Sequence, residues 1–206
     1  MRYLLLSLSL VLCSPSYGKD PVGHRGNIPY MDVTLSGGNM LPSLRSRDAN
    51  KGPFSYSNAS FYEVGVDMMI NSRHWHVFPS LGARIGANGF DAVSPTASDA
   101  AGGIYGRFCV GLNVLSHPDG KWSFAGGADL GGGFGADAGS LLSPYYSIDA
   151  RAGVRMKRRY AFYLKGSYRP MDGYYFDTRY GKTLSNATFD VWSIGAELRV
   201  SFGKYR

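Results

Sequence analysis

Residues 188–202 read TFDVWSIGAELRVSF, and their character alternates with every step from Trp192 to Phe202. One set of alternate residues is wholly apolar there, whereas the residues between them are small or charged. Successive side chains of a β-strand point to opposite faces, so this stretch predicts a strand with two different surroundings. It exceeds the usual strand length of about five or six residues. It also provides the about 9–11 residues that a tilted strand needs to cross a bilayer.

The same alternation recurs seven times upstream of this stretch. We predict strands at residues 28–36, 60–70, 74–87, 103–115, 121–133, 144–156 and 160–169, with residues 188–202 as the eighth. Residues 37–59, 88–101, 134–143 and 170–187 are predicted as long loops, and residues 71–73, 116–120 and 157–159 as short turns. Short turns at one end, longer loops at the other and an even strand count are typical of membrane barrels. The predicted fold class is therefore all-β, an eight-stranded antiparallel up-and-down transmembrane β-barrel.

The N-terminus has the organisation of an export signal. Arg2 precedes a short apolar run, and small residues end at Gly18, so residues 1–18 are predicted to be a cleaved signal peptide. The run is too short for a transmembrane helix, which needs about 20 apolar residues. A lipid-modified Cys13 is an alternative, although Leu12 fits that signal poorly. We assign residues 19–27 to a polar leader and residues 28–206 to the barrel. Cys109 is then the single remaining cysteine, so a disulfide within one chain is excluded.

The alternation does not by itself say which face of the barrel points outward. A soluble, ligand-carrying barrel would turn the same apolar residues inward, whereas a membrane barrel turns them toward lipid. Strand length and aromatic residues near the strand ends favour the membrane barrel, whose lumen would hold a network of paired charges. The members predicted for that network are Glu63, Asp67, Arg84, Arg107, Asp129, Asp149, Arg151, Arg155, Lys165, Glu197 and Arg199. The aromatic residues predicted for the membrane interface are Trp75, Trp122, Tyr160, Trp192 and Phe202.

Few residues form patterns that indicate chemistry. His74 and His76 are spaced to chelate a metal, but no third ligand is evident at a suitable spacing, and packing is the favoured interpretation. Residues 131–135, GGGFG, lack the lysine and helix of a phosphate loop. We therefore expect no catalytic, metal or cofactor site. The segment that most resembles a recognition surface mixes aromatic residues with arginine. Its members are Tyr174, Tyr175, Phe176, Arg179 and Tyr180.

In architecture and strand pattern the chain resembles the small eight-stranded outer-membrane proteins related to the OmpA transmembrane domain and OmpX. The aromatic ending at Phe202 is similar to the final strand of outer-membrane barrels, although four residues follow it here. The resemblance implies a protein of the outer membrane of a Gram-negative-type bacterium. The expected partners are outer-membrane lipid and lipopolysaccharide, the barrel-assembly machinery, and a host or environmental ligand at the loops, but not nucleic acid.

Three functions remain open from the sequence. The first is a non-enzymatic barrel whose outer loops make contacts, and the second is a narrow pore. The third is an enzyme that modifies lipid A, because similar small barrels include lipid A deacylases and acyltransferases with a Ser/His/acid set. No histidine falls in the four predicted long loops, which disfavours the enzyme.

Overall fold

The structure is a computed structural model of the 206-residue chain. It describes residues 28–44, 55–71, 76–94, 97–116, 121–137, 140–156, 159–177 and 182–202. The strands are β1 (Ile28–Leu44), β2 (Ser55–Asn71), β3 (Val77–Ser94), β4 (Ala97–Leu115), β5 (Trp122–Asp137), β6 (Ser140–Met156), β7 (Tyr160–Asp177) and β8 (Lys182–Phe202). Each strand pairs antiparallel with the next, and β1 pairs with β8 to close the ring. The predicted eight-stranded antiparallel barrel is confirmed. No helix in the described ranges is long and apolar enough to cross a membrane.

The strands are longer than the sequence predicts, and most of the predicted long loops are strand. Only Pro95 and Thr96 separate β3 from β4, and only Ala138 and Gly139 separate β5 from β6. Most of residues 170–187 likewise belongs to β7 and β8, whose ladder continues to the pair Asp177↔Lys182. The predicted loops at 88–101, 134–143 and 170–187 were therefore wrong, as was the loop predicted at 37–59 over residues 37–44 and 55–59, which belong to β1 and β2. In these segments the sequence carries no sustained alternation of apolar and polar residues that would mark them as strand.

Two features of β3 differ from what its sequence suggests. A proline within a strand usually marks a bulge or an edge, but Pro79 pairs in register with Leu112, and the β3–β4 ladder is regular throughout. The described irregularities lie elsewhere, at Ser57/Ser60, Gly135/Asp137 and Gly173/Tyr175. The strand was expected to begin at His74, whereas β3 begins at Val77.

The two ends of the barrel differ in which strands are paired. We call the end with Ile28 and Phe202 the terminal end, because β1 begins and β8 ends there. The opposite end is the distal end, where the pairing between neighbouring strands changes. The β6–β7 ladder stops at Ile148↔Tyr168 in the described chain, although both strands continue. Beyond that point β7 pairs with β4, through Ala97↔Asp177 and Ser98↔Phe176, so the β6–β7 ladder has a gap on the terminal side of this bridge.

The two faces of the wall are chemically distinct. Outward side chains are apolar and exposed, with Phe124 at 77% and Leu164 at 62% relative exposure. Inward side chains are buried and mostly polar or charged. A water-soluble barrel would show the reverse, because exposing so much contiguous apolar surface to water is unfavourable. The outward placement of the apolar face therefore agrees with the membrane interpretation of the alternation.

Candidate functional site

The lumen holds the principal cluster of ionisable residues. All eleven charged residues predicted to share it are buried, and the structure joins them into one network of ion pairs. Each projects inward from its strand because it occupies the alternate positions opposite the apolar face. Neighbouring inward glycines provide the space. A Cβ atom on Gly111, for instance, would overlap the Asp129 carboxylate, whereas one on the outward Gly106 would meet nothing within 4 Å.

Arg84 occupies the middle of the network. Its side chain is fully buried, and four carboxylates from three other strands surround it. Its Nη2 lies 3.0 Å from Asp67 and 2.9 Å from Asp129. Its Nη1 lies 3.1 Å from Glu63 and 3.3 Å from Glu197. One guanidinium thereby braces β2, β3, β5 and β8 across the barrel.

Glu63 is the matching acidic centre. Its Oε2 accepts hydrogen bonds from Arg107 Nε at 3.0 Å, Arg107 Nη2 at 2.9 Å and Tyr105 OH at 3.1 Å. Its Oε1 accepts from Lys165 Nζ at 2.8 Å and from Arg84. A buried carboxylate is stable only when its lone pairs are occupied in this way. The arrangement is therefore a saturated structural site.

The remaining charges extend the network around Arg84 and Glu63. Arg107 pairs with Asp149 at 2.6 Å, Arg199 pairs with Asp67 at 2.8 Å, and Arg151 pairs with Asp129. Arg155 reaches Asp32 at 3.1 Å.

Buried apolar side chains form two clusters in the lumen, one toward each end of the barrel. On the terminal side lie Phe78, Leu115, Ala125, Ala161 and Tyr163. On the distal side a second cluster lines β8, β1, β2 and β3, and its members are Met40, Phe61, Phe90, Ala92, Phe189 and Val191. In that cluster the Phe90 and Phe189 rings meet edge to face, with centroids 5.0 Å apart. The centre of the charged network thus lies between two apolar clusters.

Sequence reasoning left several lumen residues out of the predicted set. Asp32, which pairs with Arg155 and accepts from Ser201 Oγ, lies in the same alternation as Thr34 and was identifiable as inward-facing. Arg169 is the last residue of the predicted strand 160–169, in the same alternation as Lys165, and it too is buried. Tyr105 stacks on Tyr145 with ring centroids 4.2 Å apart. No spacing in the sequence indicates that contact, because it depends on the curvature of the barrel.

The predicted interface aromatics lie on the outer face where they are described. Trp122, Tyr160 and Phe202 stand at the terminal end and are 40–56% exposed. Trp192 is 59% exposed and contacts the ring of Tyr168, with centroids 4.9 Å apart. Trp75 lies outside the described residues.

The remaining predicted residues are only partly described. Tyr174, Tyr175 and Phe176 belong to β7 and not to a loop, while Arg179 and Tyr180 lie outside the described residues. So does His74. His76, the one histidine among the described residues, has Nδ1 3.0 Å from the Leu115 carbonyl oxygen. No group of three or more His, Cys, Asp or Glu in the described ranges is arranged to hold a metal ion.

No family model and no curated protein matches the chain. Solved structures do match it. The outer membrane protein OprG from Pseudomonas aeruginosa is 11% identical, with a TM-score of 0.50 over 90% of this chain and 100% of OprG. The outer membrane protein AlkL, solved in DMPC lipid bilayers, is 10% identical with a TM-score of 0.42, covering 92% of this chain and 98% of AlkL. Ail, the attachment invasion locus protein of Yersinia pestis, is 12% identical with a TM-score of 0.39, covering 83% of this chain and 98% of Ail. The likeness to OprG shows that the chain shares the fold of an outer-membrane β-barrel protein.

Proposed function

We propose that this chain is an integral β-barrel protein of the bacterial outer membrane, that it is not an enzyme, and that it acts through its distal surface. The observation that carries the proposal is the combination of an apolar outer wall with a lumen filled by paired charges. A wall of this kind is stable only in contact with lipid, and a filled lumen leaves the ends of the hairpins as the surface available for contacts.

The height of the apolar wall supports the location in a membrane. On β8 the outward residues from Trp192 to Phe202 are apolar, with an aromatic residue at each limit. At about 3.3 Å per residue this segment measures about 33 Å. A strand tilt of about 40° reduces that length to about 25 Å along the barrel axis, which matches the apolar band of outer-membrane barrels. Trp192 and Phe202 would then lie at the two membrane interfaces.

The length of the β7–β8 hairpin supports the distal surface as the site of contact with a partner. It remains paired from Tyr168↔Trp192 to Asp177↔Lys182, well beyond the distal limit of the apolar wall. A paired hairpin is stiffer than a loop. Binding a partner through residues 174–176 would therefore cost less conformational entropy. The partner would be a host or environmental molecule, with lipopolysaccharide as the immediate neighbour of the hairpin.

Cell fractionation and gel mobility test the membrane barrel. The protein should sediment with outer membranes, and the unboiled protein should migrate faster than the boiled protein, because a closed barrel resists detergent. Recovery in the soluble periplasmic fraction without a mobility shift would contradict the proposal, and the apolar face would then have to surround a ligand.

Surface binding is tested by adherence of bacteria that produce the protein. Replacing Tyr174, Tyr175 and Phe176 by Ser should reduce adherence to host cells or to abiotic surfaces while the gel shift of the barrel stays unchanged. Equal adherence of the wild type, this variant and cells without the protein would remove the interaction role.

The alternative is a narrow pore, which the polar lining of the lumen favours. In planar bilayers a pore should give current steps that change when Lys165 is replaced by Met, because one lining charge is lost. A filled lumen should give no steps with either protein. Mass spectrometry of lipid A with and without the protein tests the lipid-modifying enzyme.

A further inference from the structure

Among the described residues of the lumen, ion pairing leaves one cation without a carboxylate partner. Seven basic side chains are buried among the described residues, and six of them lie within 4.0 Å of at least one carboxylate. The exception is Arg169, which is 5% exposed and contacts no carboxylate of the described chain. The unpaired charge therefore belongs to one residue and is not shared across the network.

The groups around Arg169 are neutral. Its Nη1 donates to Tyr145 OH and its Nη2 to Met40 Sδ at 3.1 Å. Its Cζ lies 5.1 Å from the centre of the Tyr145 ring and 5.5 Å from that of Tyr105. When the Asn88 amide oxygen is assigned to the side that faces the guanidinium, it accepts from Nη1 at 2.9 Å and Nη2 at 3.0 Å. Arg169 Nε is buried and donates to no acceptor.

A buried charge with only neutral partners is expensive, and a bound counterion relieves that cost. The guanidinium fork matches the oxygens of an oxyanion. Two neighbours supply further donors. The Tyr145 hydroxyl can turn its proton toward an anion, and the Asn88 amide can rotate to present its NH2 group in place of its oxygen. Three side chains from β3, β6 and β7 would then donate to one point.

The position of this cluster gives access to it. Arg169 is the residue after Tyr168, the last β7 residue that pairs with β6 in the described chain. Tyr145 lies on the β6 side of the same opening, and the β4–β7 bridge crosses the distal side of it. We take this gap as the route by which an anion would reach Arg169 without passing the charged network.

We propose that Arg169, Tyr145 and Asn88 form a binding site for a phosphate-type oxyanion at the distal end of the lumen. A tetrahedral oxyanion fits better than a carboxylate, because its additional oxygens accept from the guanidinium, the hydroxyl and the amide together. The phosphate is either free in the external water or carried on a lipid headgroup beside the gap. The site goes beyond the proposed surface role and does not depend on it.

The test measures stability with and without phosphate. The mature protein is folded in octyl glucoside micelles, which carry no phosphate, and unfolded in urea while sodium phosphate replaces sodium chloride at constant ionic strength. Ligand binding to the folded state alone should raise the folding equilibrium constant about tenfold at ten times the dissociation constant. Arg169→Gln should abolish this response. Lys121→Gln, which removes an exposed cation at the terminal end, should respond as the wild type does.

Asn88→Asp provides a second and independent variant. It would place a carboxylate beside Arg169 and so supply the missing counterion from the chain itself. It should be more stable than the wild type in chloride and should no longer respond to phosphate. No response in the wild type, or an equal response in the wild type and the Arg169 and Asn88 variants, would overturn the site.

Two probes then separate the sources of the anion. Glycerol 1-phosphate in the buffer should stabilise the wild type if the anion comes from water. Phosphatidic acid mixed into the micelles should be the only effective probe if a headgroup enters through the gap. Failure of both probes would overturn the proposal.

Discussion

Replacing Arg84 by Met should destabilise the barrel strongly, because it removes the cation shared by four carboxylates at 2.9–3.3 Å. Breaking a buried ion pair by removing one partner costs about 3–5 kcal/mol. The structure favours the lower limit, because each carboxylate retains another cation, as Asp67 does with Arg199 at 2.8 Å and Asp129 with Arg151. We expect a loss of about 3 kcal/mol, roughly a hundredfold in the folding equilibrium.

Urea unfolding in micelles, followed by tryptophan fluorescence and by gel mobility, measures this loss. With a slope of about 2 kcal/mol per molar urea, the midpoint should fall by about 1.5 M. The matched control is Arg169→Met in chloride buffer. This variant also removes a buried lumen arginine, but one with neutral partners, so it should cost less than about 1.5 kcal/mol. A midpoint for Arg84→Met within about 0.5 M of the wild type, or equal losses in both variants, would refute ion pairing as the cause.

A double-mutant cycle separates pairing from packing in the same assay. Arg84→Met combined with Asp67→Asn should cost less than the sum of the two single changes, because the second change removes an acceptor that the first left undercompensated. A coupling energy of about 1–3 kcal/mol is expected for groups in direct contact within one network. Strict additivity would show that the two side chains do not interact.

Three further outcomes follow from the packing of the wall and lumen. Gly111→Ala should lower the free energy of unfolding by about 1–3 kcal/mol, because its Cβ would displace the Asp129 carboxylate. Gly106→Ala on the same strand should be nearly neutral. Equal urea midpoints of the two variants would contradict this. Leu164→Arg should cost about 2–4 kcal/mol in lipid vesicles and Tyr160→Arg no more than about 1 kcal/mol, because the first side chain lies near the middle of the apolar wall and the second at its limit. Cys109, which is 3% exposed in the lumen, should react with a bulky maleimide only after boiling, and gel-shift labelling of the folded protein would contradict its inward position.

The sequence allowed the faces of the strands to be predicted, because lipid and lumen impose opposite polarity on alternate residues. Strand length was predictable only where that contrast persists. Phe90, Ala92 and Val93 continue β3 past the predicted end at residue 87, but the outward and inward residues there no longer differ in polarity. Pairing between backbone groups holds such segments together, and backbone pairing leaves no signature in side-chain type.

The site was predictable as a set of charges but not as a set of pairs. Glu63 and Lys165 were both assigned to the lumen, yet their 2.8 Å contact crosses the barrel between β2 and β7. Such contacts depend on the stagger between strands, which alternation does not determine. The absence of a described carboxylate beside Arg169 is likewise a property of position, because the sequence, with 22 basic and 15 acidic residues, does not indicate which cation lacks a carboxylate.

The β1–β8 seam has a consequence for how the chain folds. Asp32 on β1 lies opposite Ser201 on β8, and its ion pair with Arg155 spans 123 residues of chain. These contacts can form only when the first strand meets the last, so the slow step of folding should be ring closure, as expected for a topology rich in long-range pairing. A seam that closed one residue out of register would turn every charged residue of the misplaced strand toward lipid. The charges in the lumen therefore distinguish a correctly closed ring from an incorrectly closed one at the last stage of assembly.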